Sequence, residues 1–156
     1  MDERNELRLV THYNPKSPVA EAYRILRTNL NFAGLDRPFK TLLITSVGPS
    51  DGKSTTLGNL GIAMAQAGVA TLIIDCDLRK PMQHKIFNQH NLKGFTNLLV
   101  DRSVTGEELI RDTEIPRLKL LTSGPIPPNP SELLASKRTF QVIEELQEIE
   151  RSRNDP

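Results

Sequence analysis

Thr45-Ser-Val-Gly-Pro-Ser-Asp-Gly-Lys-Ser-Thr-Thr56 is followed, at the end of the next apolar run, by Asp75-Cys-Asp-Leu-Arg-Lys-Pro81. The first stretch reads as a tight loop joining a strand, Leu42–Ile44, to a helix, Lys53–Gln66. A helix N-terminus offers unpaired backbone N–H groups and the positive end of its dipole, which suits an anion. Glycine lets those groups approach phosphate oxygens closely. Gly52 takes that role, with Pro49, Ser50 and Asp51 completing the loop. Lys53 adds a point charge for the outer phosphates, Ser54 offers a hydroxyl to magnesium, and Thr55 is placed to reach the inner phosphate. A strict G-x-x-x-x-G-K-[ST] pattern wants glycine where Val47 stands, and Gly48 is one residue closer.

Taken alone, such a loop is also compatible with an ordinary turn. The second stretch argues for phosphate chemistry. Asp75 and Asp77 stand at the tip of the strand Val69–Ile74, and carboxyl ends of strands in such sheets face one crevice. Two carboxylates there would repel each other without a cation, and a magnesium–phosphate complex supplies one. A dinucleotide site is disfavoured because no G-x-G-x-x-G is present and Lys53 would crowd the pyrophosphate.

Working outward, residues 1–17 are polar and read as a flexible arm, and 18–156 as one domain. Val19, Ala22, Tyr23, Leu26, Leu30 and Ala33 recur at helical spacing before Gly34. Short helices and loops are expected over residues 82–112, including a helix from Thr105 to Arg111. A third strand follows over Leu118–Leu121, then a stiff loop from Pro125 to Pro130, then one helix from about Ser131 towards Glu150. The order implies an α/β fold with a parallel sheet and right-handed crossovers, helices on both faces.

The 156 residues carry a net charge of +1, which gives no case for nucleic acid as a partner. The lone Cys76 cannot form an internal disulfide, so a reducing, cytoplasmic compartment is the natural expectation. It reads as a strand-end packing residue rather than a nucleophile, since burial and flanking carboxylates oppose the thiolate. His12, His84 and His90 are scattered and expected on the surface. Arg79 and Lys80 are suited to a phosphate or a neighbouring subunit. Phe32 and Phe39 are expected either to seat the first helix or to flank a base.

In four segments the chain resembles the bacterial tyrosine kinases of capsule and exopolysaccharide systems, a P-loop NTPase-like family. These are Glu21-Ala-Tyr-Arg24-Ile-Leu-Arg27, the loop Ser46–Thr56, Asp75–Pro81, and Leu121-Thr-Ser-Gly-Pro-Ile-Pro-Pro-Asn-Pro-Ser-Glu-Leu-Leu134. The resemblance implies an ATP- and Mg2+-dependent, autophosphorylating protein-tyrosine kinase that regulates polysaccharide synthesis and export. It implies Lys53 on the β- and γ-phosphates, Ser54 on magnesium, and Asp75 and Asp77 organising the metal's waters and helping activate the tyrosine hydroxyl. Pro49 to Thr55 and Arg79 would hold the nucleotide. Glu21, Arg24 and Arg27, three residues apart and so on one helical face, would join subunits into a homo-oligomer. A membrane-embedded activator, a polysaccharide co-polymerase, would hold the protein at the inner face of the cell membrane, and its substrates would be protein tyrosines. Partition-type ATPases of the wider class carry a lysine where Gly48 stands.

The family pattern continues into a strand ending Asp-Thr-Pro-Pro and a tyrosine-rich tail. Neither occurs here, and the only tyrosines are Tyr13 and Tyr23. The resemblance thus implies a fold incomplete at its C-terminus. It also leaves open a second reading: a truncated, catalytically weak nucleotide-binding or oligomerisation module.

Overall fold

The computed structural model describes residues 8–155. They form two compact units, residues 8–71 with Ile115–Leu118, and Leu72–Glu114 with residues 119–155.

The first unit is built on three helices: α1 (Val10–Tyr13), α2 (Pro18–Ala33) and α3 (Lys53–Gln66), with α3 packed against both others. Ser17 starts α2: its backbone is extended, its Oγ accepts the Ala20 N–H at 3.1 Å, and Pro18 takes the first helical position. Gly34 ends the helix with an ordinary negative φ of −98°. A Cβ there would come within 3.0–3.1 Å of the Phe39 ring, which would have to shift slightly; Phe39 thus sits at the helix end. A true left-handed stop closes α3. Gly68 has φ of 88°, the Gly68 N–H reaches Ala65 O, and the Val69 N–H reaches Met64 O. Together these satisfy the last carbonyls.

Three expectations change in this unit. Residues 1–7 of the expected flexible arm lie outside the described residues. Residues 8–17 are instead packed down: Leu9 and Thr11 are buried. The agent is Asn59, fully buried on α3. Its Oδ1 accepts the Thr11 N–H at 3.0 Å, and its Nδ2 donates to Arg8 O and Thr55 O at 2.6 and 2.9 Å. Second, the expected apolar face of α2 is largely open. Val19 and Ile25 are each 54 % exposed, Ala22, Leu26 and Ala33 are exposed too, and Ala20 is the buried residue of the helix. Third, Leu42–Ile44 forms no strand, and Leu43 is 81 % exposed. An apolar run becomes a buried strand only with ladder partners on its edges, and no described residue pairs with it as a strand.

The second unit carries most of a three-stranded sheet in the order β1-β3-β2, with β1 at Thr71–Ile74, β2 at Arg111–Asp112 and β3 at Leu118–Leu121. The Thr71 N–H reaches Arg117 O and the Asp75 N–H reaches Leu121 O, both at 2.9 Å. Equal four-residue steps in the same direction make β1 and β3 parallel. β2 is antiparallel to β3, pairing Arg111 with Leu120. It occupies residues where the expected helix ended; that helix is confined to Gly106–Leu109.

Leu78, Phe95, Leu98, Leu99, Leu109, Leu121, Val142 and Leu146 form this unit's core. The helices around it are α4 (Gln83–Ile86), α5 (Phe95–Val100), α6 (Gly106–Leu109), α7 (Pro130–Leu134) and α8 (Lys137–Asn154). The single helix expected from Ser131 is two, because Ser136 is extended (φ −72°, ψ 154°) and its Oγ donates to Leu133 O at 2.6 Å. The α/β class with a parallel strand pair stands as expected from the order of elements.

Candidate functional site

In the first unit the loop before α3 has the geometry of an anion cradle. Ser50 and Gly52 both adopt positive φ, 63° and 83°. Gly52 ends in the left-handed region and its carbonyl accepts the Thr56 N–H at 2.9 Å, the first bond of α3. The loop is braced internally: Ser46 Oγ donates to Gly48 O at 2.9 Å, and the Gly48 N–H donates to Asp51 Oδ2 at 2.7 Å. No side chain caps α3, and its first turn carries no acid. The opening of this 14-residue helix therefore carries the positive end of the helix dipole, and Gly52 at its N-cap supplies no side-chain cap. Lys53, Ser54 and Thr55 occupy that turn. Val47, where strict loops have glycine, points into solvent.

In the second unit Asp75 and Asp77 follow β1. Asp75 is 4 % exposed, and both its oxygens accept backbone donors. Oδ1 takes the Asp77 N–H at 3.1 Å; Oδ2 takes the Met82 and Gln83 N–H groups at 3.0 and 2.9 Å. Burial raises its pKa above the usual carboxylate value, and these three backbone bonds oppose the rise. A carboxylate has about four lone-pair sites, so Asp75 keeps little capacity for direct coordination and is better suited to holding a water. Asp77 Oδ1 accepts the Arg79 and Lys80 N–H groups at 3.3 and 3.0 Å. Arg79 is aimed by Ser131, whose Oγ accepts its Nη2 at 2.8 Å.

Among the described residues no three His, Cys, Asp or Glu side chains gather as a metal site. This donor set suits a magnesium ion held mostly by water, one or two protein oxygens and substrate phosphates rather than by a protein cage.

Cys76, between the aspartates, packs against the core of the second unit. Burial, with Asp75 nearby, pushes its thiol up to about 12, in accord with a packing role. His84 departs from the surface expectation: its Nδ1 is buried without a hydrogen bond, and burial holds its pKa below the ordinary value.

On α2 the Glu21, Arg24 and Arg27 side chains make local bonds. Arg24 pairs with Glu21 at 2.7 Å and donates to Pro15 O at 2.8 Å; Arg27 donates to Ala63 O at 2.9 Å. Arg27 thereby ties α2 to α3, a role that its spacing did not reveal. Asn59 was also missed, although a polar residue on the apolar face of α3 was the available signal. Asn91 was missed too; its Oδ1 accepts the Gly124 N–H at 2.7 Å and its Nδ2 donates to Gly124 O at 3.1 Å.

No family model matches the chain. It is similar to the tyrosine-protein kinase YwqD of Bacillus subtilis, 46 % identical over 134 residues, covering 86 % of this chain and 56 % of YwqD. Similarity to the tyrosine-protein kinase CpsD of Streptococcus agalactiae is 39 % over 130 residues, covering 83 % of this chain and 56 % of CpsD. Among solved structures, the chimerical protein CapA2B2 superposes with a TM-score of 0.85 at 46 % identity, covering 92 % of this chain and 62 % of that one. The kinase domain of the Escherichia coli tyrosine kinase ETK superposes at 0.84 and 32 % identity, covering 90 % and 55 %. The chain thus spans somewhat over half the length of these relatives. In both sequence and backbone, then, the chain is similar to part of the bacterial tyrosine kinases.

Proposed function

We propose that the chain takes part in ATP- and magnesium-dependent transfer of phosphate to protein tyrosines, in the control of capsular or exopolysaccharide synthesis. The observation that carries this is the start of α3: a left-handed Gly52, a first turn without an acid or a side-chain cap, and Lys53 at its first position. Phosphoryl transfer is mostly positioning and charge neutralisation. Lys53 and the first-turn N–H groups would bind the phosphates, with Ser54 as the hydroxyl ligand to magnesium. Bound magnesium would supply charge neutralisation on the transferred group. Asp75 would hold a water of that ion, Asp77 would accept the tyrosine proton, and Arg79 would steady the nucleotide. Glu21, Arg24 and Arg27 would join copies of the chain, and a membrane-embedded activator would recruit it. No helix among the described residues is long and apolar enough to cross a membrane.

One observation favours a second reading, a catalytically weak nucleotide-binding module of the same family. Leu42–Ile44, leading into the loop, is not held in the sheet. The test is transfer of labelled phosphate from ATP to a tyrosine-containing substrate, beside Lys53→Ala. Incorporation by wild type alone supports the kinase. Equal incorporation by both proteins refutes it for this chain. A magnesium-ATP thermal shift without transfer selects the binding module; at 100 times its dissociation constant the ligand adds about 2.7 kcal/mol.

A further inference from the structure

Downstream of the acidic segment, the second unit holds a groove of about 550 Å³ whose lining, Arg79 apart, has no part in the proposed phosphate chemistry. That volume is within the ~300–1,000 Å³ of ligand clefts. One wall is the turn after Asp77, with Arg79, Lys80, Met82, His84 and Lys85; the other is the start of the proline-rich loop, with Ile126. Among the described residues no acidic side chain lines it.

Both walls are fixed from behind. Asp75 and Asp77 accept the backbone N–H groups of Arg79, Lys80, Met82 and Gln83, so the carboxylates are turned into the backbone while the cations face outward. Asn91 clamps Gly124 through both its N–H and its carbonyl, and proline fixes φ in the residues that follow. Lys80 and Lys85 are exposed, and no ion pair is formed by Arg79 or Lys80 among the described residues. Ile126 is 62 % exposed although it borders a cleft.

We propose that this groove seats an acidic, extended segment flanking the acceptor tyrosine of a protein substrate. The proposal rests on the kinase reading and names the substrate class for it. Glutamate or aspartate side chains would meet Lys80 and Lys85, and the apolar surface of Met82 and Ile126 would take an aromatic or aliphatic neighbour. Charge complementarity favours this occupant. A concave cleft with a stiff proline wall fits an extended chain better than a flat lipid surface.

The experiment measures fluorescence anisotropy of a labelled Glu/Tyr peptide with the whole chain, without nucleotide, against a Lys/Tyr peptide of equal length. The Glu/Tyr peptide is expected to saturate, and to weaken as ionic strength rises. Lys80→Glu/Lys85→Glu should weaken it by at least about tenfold, and Lys80→Gln/Lys85→Gln by an intermediate factor. Unchanged far-ultraviolet circular dichroism and melting would show that the variants fold. Absent saturation, equal binding of both peptides, or indifference to charge reversal overturns the proposal. Lysine-dependent binding to phosphatidylserine vesicles without peptide binding also overturns it, and makes the groove a membrane contact. Because no nucleotide is present, loss of phosphate transfer in the kinase test leaves this result standing, so the two failures are distinguishable.

Discussion

The Asp75 carboxylate accepts the backbone N–H of Gln83 at 2.9 Å, from eight residues earlier in the chain. The same oxygen takes the Met82 N–H, so one buried acid closes the whole turn after β1. The position expected to serve the metal is therefore also a structural clamp, and the two roles separate experimentally.

Asp75→Asn turns an acceptor into a donor on one side of the group. At least one backbone N–H then loses its partner, at a cost of about 1–3 kcal/mol. The sign of the pH effect follows from the raised pKa. Above the ordinary value of 3.8 the folded state holds the Asp75 proton more tightly than the unfolded chain does. Stability from this group is thus greatest below 3.8 and is lost as pH rises through the raised folded value. Urea unfolding of both proteins across the acid range should show the wild-type advantage narrowing as pH rises above 3.8. An advantage that widens over that range would contradict this account of Asp75.

Leu118–Leu121 was legible as a strand and Lys53–Gln66 as a helix because each matches its period and is bounded by a clear stop. Leu42–Ile44 has the same apolar signature and forms no strand, since a ladder depends on partners that local sequence does not specify. The two residues of β2 are too few to show any period. The loop and acidic motifs could be read from glycine, lysine and aspartate chemistry alone. Asp75's three backbone bonds and the tie from Arg27 to Ala63 were not legible, because backbone acceptors and donors leave no mark in the side-chain pattern.

Asn59 supports a second prediction. Asn59→Ala leaves Thr11 N–H, Arg8 O and Thr55 O without this partner inside a packed region. The expected loss is about 2–4 kcal/mol, from one or two buried groups left unsatisfied. Hydrogen exchange should rise first over residues 8–17. Protection there equal to wild type would mean that the segment is held by something other than Asn59.

Gly94 and Gly106 predict unequal costs for the same substitution. A Cβ at Gly94 collides with the backbone of Thr122 and Gly124, which the sheet and the Asn91 clamp hold in place. At Gly106 it meets the ends of the Leu146 and Ile149 side chains, which can rotate. Gly94→Ala should cost about 3 kcal/mol and Gly106→Ala about 1 kcal/mol, the extremes for overpacking. Comparing urea midpoints at equal m-values tests the order; the reverse order would mean that the loop at Gly124 yields more easily than the helix α8.

Gly52 offers the cleanest test of the loop. Its φ is 83°, yet nothing lies within 4 Å of a Cβ placed there. The cost of Gly52→Ala is then conformational alone, about 1–2 kcal/mol for a left-handed L-residue. Ser50 already bears such a conformation at φ 63°, and Ser50→Gly should be close to neutral, since relief of that strain offsets the added freedom of the unfolded chain. Thermal melts with and without magnesium-ATP would separate folding from binding. Gly52→Ala should lose stability without ligand and lose most of the ligand-induced shift as well, because the helix start would no longer be presented in the same geometry. A Gly52→Ala protein as stable as wild type would show that the loop abandons its left-handed turn, and a retained nucleotide shift would show that the turn is not what binds phosphate.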